Sequence, residues 1–117
     1  MAHDHILPPQ PELGCYVIRE VHQGLADGVL MAHTQEEEAC ILSAAAILAV
    51  QGYACRLLRM ADEARFAAQP QAYREKLLPA GLPLLSPDPG ESPAGLAARM
   101  AASIKAKSRS FPCVFAF

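Results

Sequence analysis

The chain has 117 residues, of which 52% are hydrophobic and 19% are charged, and its formal net charge is −2. This length fits one domain, and this composition is typical of a folded chain rather than a disordered one. The small negative charge provides no global field that would attract nucleic acid or an anionic membrane, so neither is an expected partner.

The longest apolar stretch runs from Ala39 to Val50 and is interrupted only by Ser43. It is shorter than the roughly 20 residues that a membrane-spanning helix requires, so it predicts a buried helix instead. The N-terminal sequence Met1-Ala-His-Asp-His lacks the basic and apolar regions of a secretory signal. We therefore expect a cytoplasmic protein.

Residues 1–13 contain three prolines and no amphipathic period, which predicts an extended N-terminal arm followed by a single domain over residues 14–117. Ile6 and Leu7 are apolar residues within this arm. We expect these two residues, together with Leu13, to hold the arm against the body of the protein or a neighbouring subunit, because removing apolar side chains from water is favourable.

Two short strands are predicted after the arm, at Gly14 to Val21 and at Val29 to His33, because both runs are rich in residues that favour strands. Asp27-Gly28 is a strong turn signal, so we expect the two strands to form a hairpin. A helix is the alternative, since four apolar residues fall at helical spacing, and the glycines between them disfavour it: Ile18, Val21, Leu25 and Val29.

A long helix is predicted from Thr34 onward. Thr34 is a good N-cap, Glu37 completes a capping box, and Gly52 is placed to end the helix. Its body is apolar on every face, which indicates a helix covered on more than one side or lying in an oligomer interface. Residues 53–60 follow as a strand.

Two short helices are predicted at residues 61–68 and 71–78, followed by a proline-rich irregular connection over residues 79–93. Leucines within this connection are candidate partner-binding residues, namely Leu82, Leu84 and Leu85. Ser92 and Pro93 begin a last helix, and residues 111–117 are predicted to form a buried strand.

The predicted element order is β-β-α-β-α-(α)-α-β, in which the bracketed element is the short helix at residues 71–78. This order indicates an α/β or α+β fold with a small sheet of roughly four strands and helices packed on it. The strands at residues 53–60 and 111–117 are separated by helices. They are therefore expected to form a crossover of the βαβ type.

Motifs that carry chemistry are scarce. His3 and His5 can bind divalent metals adventitiously, but the sequence predicts no functional metal site, no catalytic residue and no cofactor. The cysteines show no C-x-x-C pair and are expected to be buried free thiols, namely Cys15, Cys40, Cys55 and Cys113.

Three arginines on predicted strands form a candidate anion-binding site, namely Arg19, Arg56 and Arg59. The alternative is that they pair with local carboxylates such as Glu20 or Asp62, which is the commoner arrangement for arginines near strand ends.

These observations predict a small non-catalytic protein-binding or regulatory module that acts through another protein and forms a homodimer. An apolar helix, a short sheet with open edges and a lack of convergent polar residues favour this interpretation. The alternative is a small thiol- or histidine-dependent enzyme or a ligand-binding protein.

Overall fold

The computed structural model of the chain describes residues 13–21, 26–79 and 81–109. Within these ranges the chain forms four strands and four helices in the following order: β1 (Cys15–Arg19), β2 (Gly28–Ala32), α1 (Gln35–Val50), β3 (Cys55–Met60), α2 (Glu63–Ala67), α3 (Gln71–Leu77), β4 (Leu84–Leu85) and α4 (Pro93–Arg109). None of the helices in these ranges is long and apolar enough to cross a membrane.

The strands form one mixed sheet in the order β1-β3-β2-β4. Strand β2 is parallel to both of its neighbours, β3 and β4, whereas β1 is antiparallel to β3. The predicted α/β fold with a four-stranded sheet is therefore confirmed.

The predicted hairpin between β1 and β2 is wrong, because β3 lies between them. All five residues of β2 are buried, so this strand needs neighbours on both edges and helices on both faces. The crossover through α1 supplies β3 as one parallel neighbour. The alternative of a helix over residues 14–33 is also wrong, since the described residues there form two strands.

Helices cover both faces of the sheet, and alternate residues of each strand point into two different core clusters. Leu30 of β2 and Leu57 of β3 contribute to the cluster beneath α1 and α4. Val29 and Leu58, one position along each strand, contribute to the cluster on the opposite face, together with residues of α2 and α3.

Helix α1 begins and ends at the signals that the sequence predicts. The Thr34 hydroxyl accepts a hydrogen bond from the Glu37 N–H at 3.1 Å, and Gly52 follows the helix with a φ of 92°. Its buried side is lined by Ile41, Ala44, Ala45 and Leu48. The described residues cover this one side of the helix, and Val50 is 89% exposed. The predicted alternative, that the helix lies in an oligomer interface, is untested and stays a prediction.

The proline-rich connection contains a strand that the sequence does not predict. Strand β4 has only two residues and pairs with Val29 and Leu30 of β2. Such a short strand has no room for the alternating pattern that reveals a strand. The predicted helix α4 follows, with the Ser92 hydroxyl accepting from the Gly95 N–H at 3.0 Å. The predicted strand at residues 111–117, and with it the predicted crossover from residues 53–60, lies outside the described residues.

Gly14 joins β1 to the start of α2. Its carbonyl accepts hydrogen bonds from the N–H groups of Ala61 and Asp62, at 2.6 and 2.9 Å. It has a φ of 84°, and an added Cβ would overlap the backbone of Asp62 and Phe66. Gly52 also has a positive φ, but an added Cβ there would meet open space. Comparing the same substitution at the two glycines therefore distinguishes the cost of backbone strain from the cost of steric overlap.

We expect Gly14→Ala to destabilise the fold more than Gly52→Ala. Strain in the left-handed region costs about 1–2 kcal/mol at either position. Overlap at Gly14 adds about 1–3 kcal/mol. Urea unfolding of the two variants measures the difference, and equal losses of unfolding free energy would show that the junction at Gly14 is not tightly packed.

Candidate functional site

The three parallel strands end at the same edge of the sheet, where their connections begin. The connection after β2 enters α1 on one face, and the connection after β3 enters α2 on the other. Ligands of open α/β sheets bind in the crevice at the carboxyl ends of two such strands. The crevice at the carboxyl ends of β2 and β3 is therefore the expected position of a functional site.

His33 follows β2 and lies at this crevice between two carboxylates. Its Nδ1 lies 3.4 Å from Glu37 Oε1, and its Nε2 lies 3.9 Å from Glu63 Oε2. The imidazole is 41% exposed, so it is accessible to solvent. An imidazole between two carboxylates can exchange protons with a ligand, which makes His33 the candidate general acid or base of the described residues.

Glu37 also has a structural role at the start of α1, which explains its position without a catalytic function. Its Oε1 accepts a hydrogen bond from the backbone N–H of His33 at 2.9 Å, which closes the first turn of α1. No group of three or more histidine, cysteine or acidic side chains among the described residues is arranged to hold a metal ion. His33 therefore remains a candidate acid–base group because of its contacts with Glu37 and Glu63.

A cleft of about 350 Å³ opens beside this crevice, between the first turn of α1 and the loop before α4. Four carboxylates line it together with the Cys40 thiol, namely Glu36, Glu37, Asp88 and Glu91. This concentration of negative charge disfavours an anionic ligand in the cleft.

Arg99 of α4 neutralises one side of this cleft. Its guanidinium donates to both carboxylate oxygens of Glu91, at 2.8 and 2.6 Å, and to the Ser86 carbonyl at 2.9 Å. The hydrogen bond from Arg99 lowers the pKa of the Glu91 carboxyl to about 2, and the Asp88 backbone N–H contributes in the same direction. Arg99 thereby fastens residues 86–91 to α4.

The candidate anion-binding arginines make internal contacts instead of meeting at one point. Arg56 donates to Glu20 at 2.9 Å and to the Lys76 carbonyl at 2.7 Å, on the face of α3. Arg59 donates to Glu38 of α1 at 2.7 Å, on the opposite face. Arg19 also has an interaction within the molecule. Anion binding by these residues is untested and stays a prediction.

The candidate partner-binding leucines differ in exposure. Leu84 is 46% exposed, whereas Leu82 and Leu85 are partly buried against the two core clusters. Ile6 and Leu7 lie outside the described residues, as do His3, His5, His22 and Cys113. Partner binding by this set stays a prediction.

The described cysteines are all protected thiols. Burial raises the pKa of Cys15 to about 11. Burial, assisted by the nearby Asp27 carboxylate, raises that of Cys55 to about 12. Burial and the carboxylates of Glu91 and Glu37 raise the pKa of Cys40. Because the thiolate is the nucleophile, none of these three cysteines is activated for thiol chemistry.

Comparison with known proteins identifies relatives of this chain. Residues 14–100 match the family described as the transketolase-like TK C-terminal domain. A transketolase from Rhodobacter capsulatus is 41% identical over 68 residues, which is 58% of this chain and 10% of that protein. The chain therefore spans about a tenth of the length of this relative.

Solved transketolase structures share the fold. A Pichia stipitis transketolase mutant in complex with xylulose-5-phosphate superposes with a TM-score of 0.68 at 20% identity, covering 81% of this chain and 18% of that one. A transketolase from Leishmania mexicana superposes with a TM-score of 0.57 at 30% identity, covering 62% of this chain and 10% of that one.

These matches contradict the predicted function. A non-catalytic protein-binding or regulatory module is wrong, because the family is a domain of an enzyme. The sequence contains no short catalytic motif, so its residues did not predict an enzyme family. The contacts of His33 with Glu63 and of Glu91 with Arg99 were not predicted either, because spacing along the chain does not reveal them.

Thiol labelling of the native chain should reflect the raised pKa values. We expect Cys15 and Cys55 to react with iodoacetamide at pH 7 at least about 100-fold more slowly than in the unfolded chain, because so little thiolate is present. Mass spectrometry of the digested protein measures each site, with urea-unfolded chain as the control. Rapid native labelling of either residue would contradict the structure.

The contact between Glu91 and Arg99 should make stability depend on pH. The pKa of Glu91 is lower in the folded state than its usual value of 4.5. Ionised Glu91 therefore stabilises the fold above about pH 4.5, and this contribution is lost as pH falls toward 2. We expect the difference in unfolding free energy between the native chain and Glu91→Gln to shrink over this range.

Arg99→Gln is the matched control for this measurement. Without the guanidinium, the carboxylate loses the main cause of its lowered pKa, so adding Glu91→Gln should produce little further pH dependence. Denaturant unfolding at several pH values measures all three variants. An unchanged difference between the native chain and Glu91→Gln from pH 7 to pH 2 would refute the assignment.

Proposed function

This chain belongs to the transketolase-like TK C-terminal domain family, and we propose that it works as the C-terminal domain of a transketolase-type enzyme. The observation that carries this proposal is the family match over residues 14–100, which includes every strand and most of the helical residues described above. The 41% identity to the Rhodobacter capsulatus transketolase supports it independently of the fold.

The substrate class that we propose for the whole enzyme is a phosphorylated ketose. The support is the Pichia stipitis transketolase in complex with xylulose-5-phosphate, whose fold this chain shares over 18% of that protein's length. Because the chain corresponds to so small a part of its relatives, we assign the reaction to the complete enzyme. This chain contributes one folded domain to it.

The geometry of the described residues is consistent with a supporting role in such an enzyme. The described thiols are protonated at neutral pH, and the two strand arginines engage their own carboxylates. His33 remains the accessible acid–base group at the crevice. We therefore propose that the domain supports the reaction without supplying a nucleophile from its described cysteines.

The predicted associations belong to this proposal. A domain of a larger enzyme contacts other protein surfaces, and the exposed Val50 of α1 and Leu84 of β4 are candidates for such contacts. The homodimer and the cytoplasmic location that the sequence predicts stay predictions.

Domain replacement tests the proposed function. The segment of the Rhodobacter capsulatus transketolase that aligns with this chain is replaced by the chain itself, and turnover of xylulose-5-phosphate is measured. We expect the chimera to retain activity within about tenfold of the parent, since a loss of that size corresponds to only about 1.4 kcal/mol of misfit in the transition state. A variant from which the segment is deleted sets the baseline.

An unrelated α/β domain of similar length, inserted at the same place, is the matched control. It should give activity no higher than the deletion, because it lacks the surfaces of this family. Circular dichroism and size-exclusion chromatography establish that each chimera is folded. A folded chimera with no more activity than the deletion would disprove the proposed function.

A further inference from the structure

A groove of about 450 Å³ lies where the C-terminal end of α1 meets α4. His33 lies at the opposite end of α1. Among the described residues, its lining includes the small α4 residues Ala98, Ala101 and Ala102. It also includes the polar side chains of Gln51, Tyr53 and Lys105. This volume is within the range of small-molecule pockets, roughly 300–1,000 Å³.

The polar head groups that line this groove have no partner among the described residues. Within the described part of the chain, the side chains of Gln51, Tyr53 and Lys105 make no hydrogen bond or ion pair. The guanidinium groups of Arg56 and Arg99, in contrast, donate to carboxylates and backbone carbonyls. The groove therefore offers donors that the fold itself does not use.

The backbone that carries Gln51 and Tyr53 is held in place. The N–H groups of Gln51 and Tyr53 both donate to the Leu48 carbonyl at 2.9 Å, and Gly52 donates to the Ala49 carbonyl at 3.0 Å. The Tyr53 ring is partly buried against the main core cluster. The backbone at both residues and the Tyr53 ring are thus held in place, whereas the exposed Gln51 side chain must be ordered when a ligand binds.

The chemistry of the lining selects an anion. Lys105 supplies a positive charge, the Gln51 amide and the Tyr53 hydroxyl supply neutral donors, and none of the six lining residues is acidic. The partial negative charge at the end of α1 is weakened there, because the Leu48 and Ala49 carbonyls already accept hydrogen bonds. Three donors suit a phosphate group, which presents three terminal oxygens.

We propose that this groove binds the phosphate group of a small organic phosphate, with Lys105 as its counter-charge and Tyr53 and Gln51 as hydrogen-bond donors. The three alanines leave space for the carbon skeleton of the ligand and contact it. The inference rests on the groove alone and does not depend on the proposed enzymatic function.

Nuclear magnetic resonance of the full ¹⁵N-labelled chain tests this site. The chain is titrated with glycerol phosphate and, separately, with inorganic phosphate, each against sodium chloride of equal ionic strength. We expect saturable shifts of the amide signals of Gln51 and Tyr53 and of residues 98–105. Glycerol phosphate should bind more tightly than inorganic phosphate, because only its carbon chain can contact the alanines.

Single substitutions assign the site. Lys105→Gln should weaken binding at least about tenfold, and Tyr53→Phe about threefold, as expected for a charged and a neutral hydrogen bond. Lys76→Gln is the matched control, since Lys76 is an exposed lysine of α3 that does not line the groove. Binding to this variant should be unchanged.

Several outcomes would overturn the proposal. Shifts that do not saturate or that map elsewhere would remove the site, and equal effects of Lys105→Gln and Lys76→Gln would reduce it to general charge attraction. Equal affinity for the two phosphates would refute the contribution of the alanines. These results are independent of the chimera's activity, so the two proposals can fail separately.

Discussion

The parallel pairing of β2 with β3 is the constraint on which the rest of the structure depends. Two parallel neighbours require a crossover connection, and α1 provides it by packing Ile41 and Leu48 on the sheet. The pairing also brings the ends of the two strands together, which places His33 near Glu63. Without it, neither core nor crevice would form.

The sequence could predict those parts of the fold that local chemistry determines. Thr34 and Gly52 mark the ends of α1, and Ser92 marks the start of α4, because cap residues satisfy backbone groups within one turn. Strand neighbours depend on distant segments instead. The turn signal at Asp27-Gly28 favoured a hairpin, but Asp27 accepts a hydrogen bond from the Ala54 N–H and so joins β2 to the start of β3.

The candidate site was less predictable than the fold for the same reason. The crevice draws His33, Glu37 and Glu63 from three elements, and only the pair His33 and Glu37 is close in the chain. The family could not be predicted from single residues, since this sequence contains no short catalytic or ligand-binding motif, whereas the family match extends over residues 14–100.

The attachment of residues 86–91 through Arg99 has a consequence for the outer edge of the sheet. Strand β4 has only two residues, so few backbone hydrogen bonds attach it to β2. The Arg99 guanidinium of α4 adds hydrogen bonds to Ser86 and Glu91, in the segment that follows β4. Local opening of this edge then depends on the Arg99 side chain, which lies on α4 and not in the sheet. Solvent exchange at the amide of Val29, which donates to the Pro83 carbonyl at 2.8 Å, reports directly on how firmly Arg99 holds.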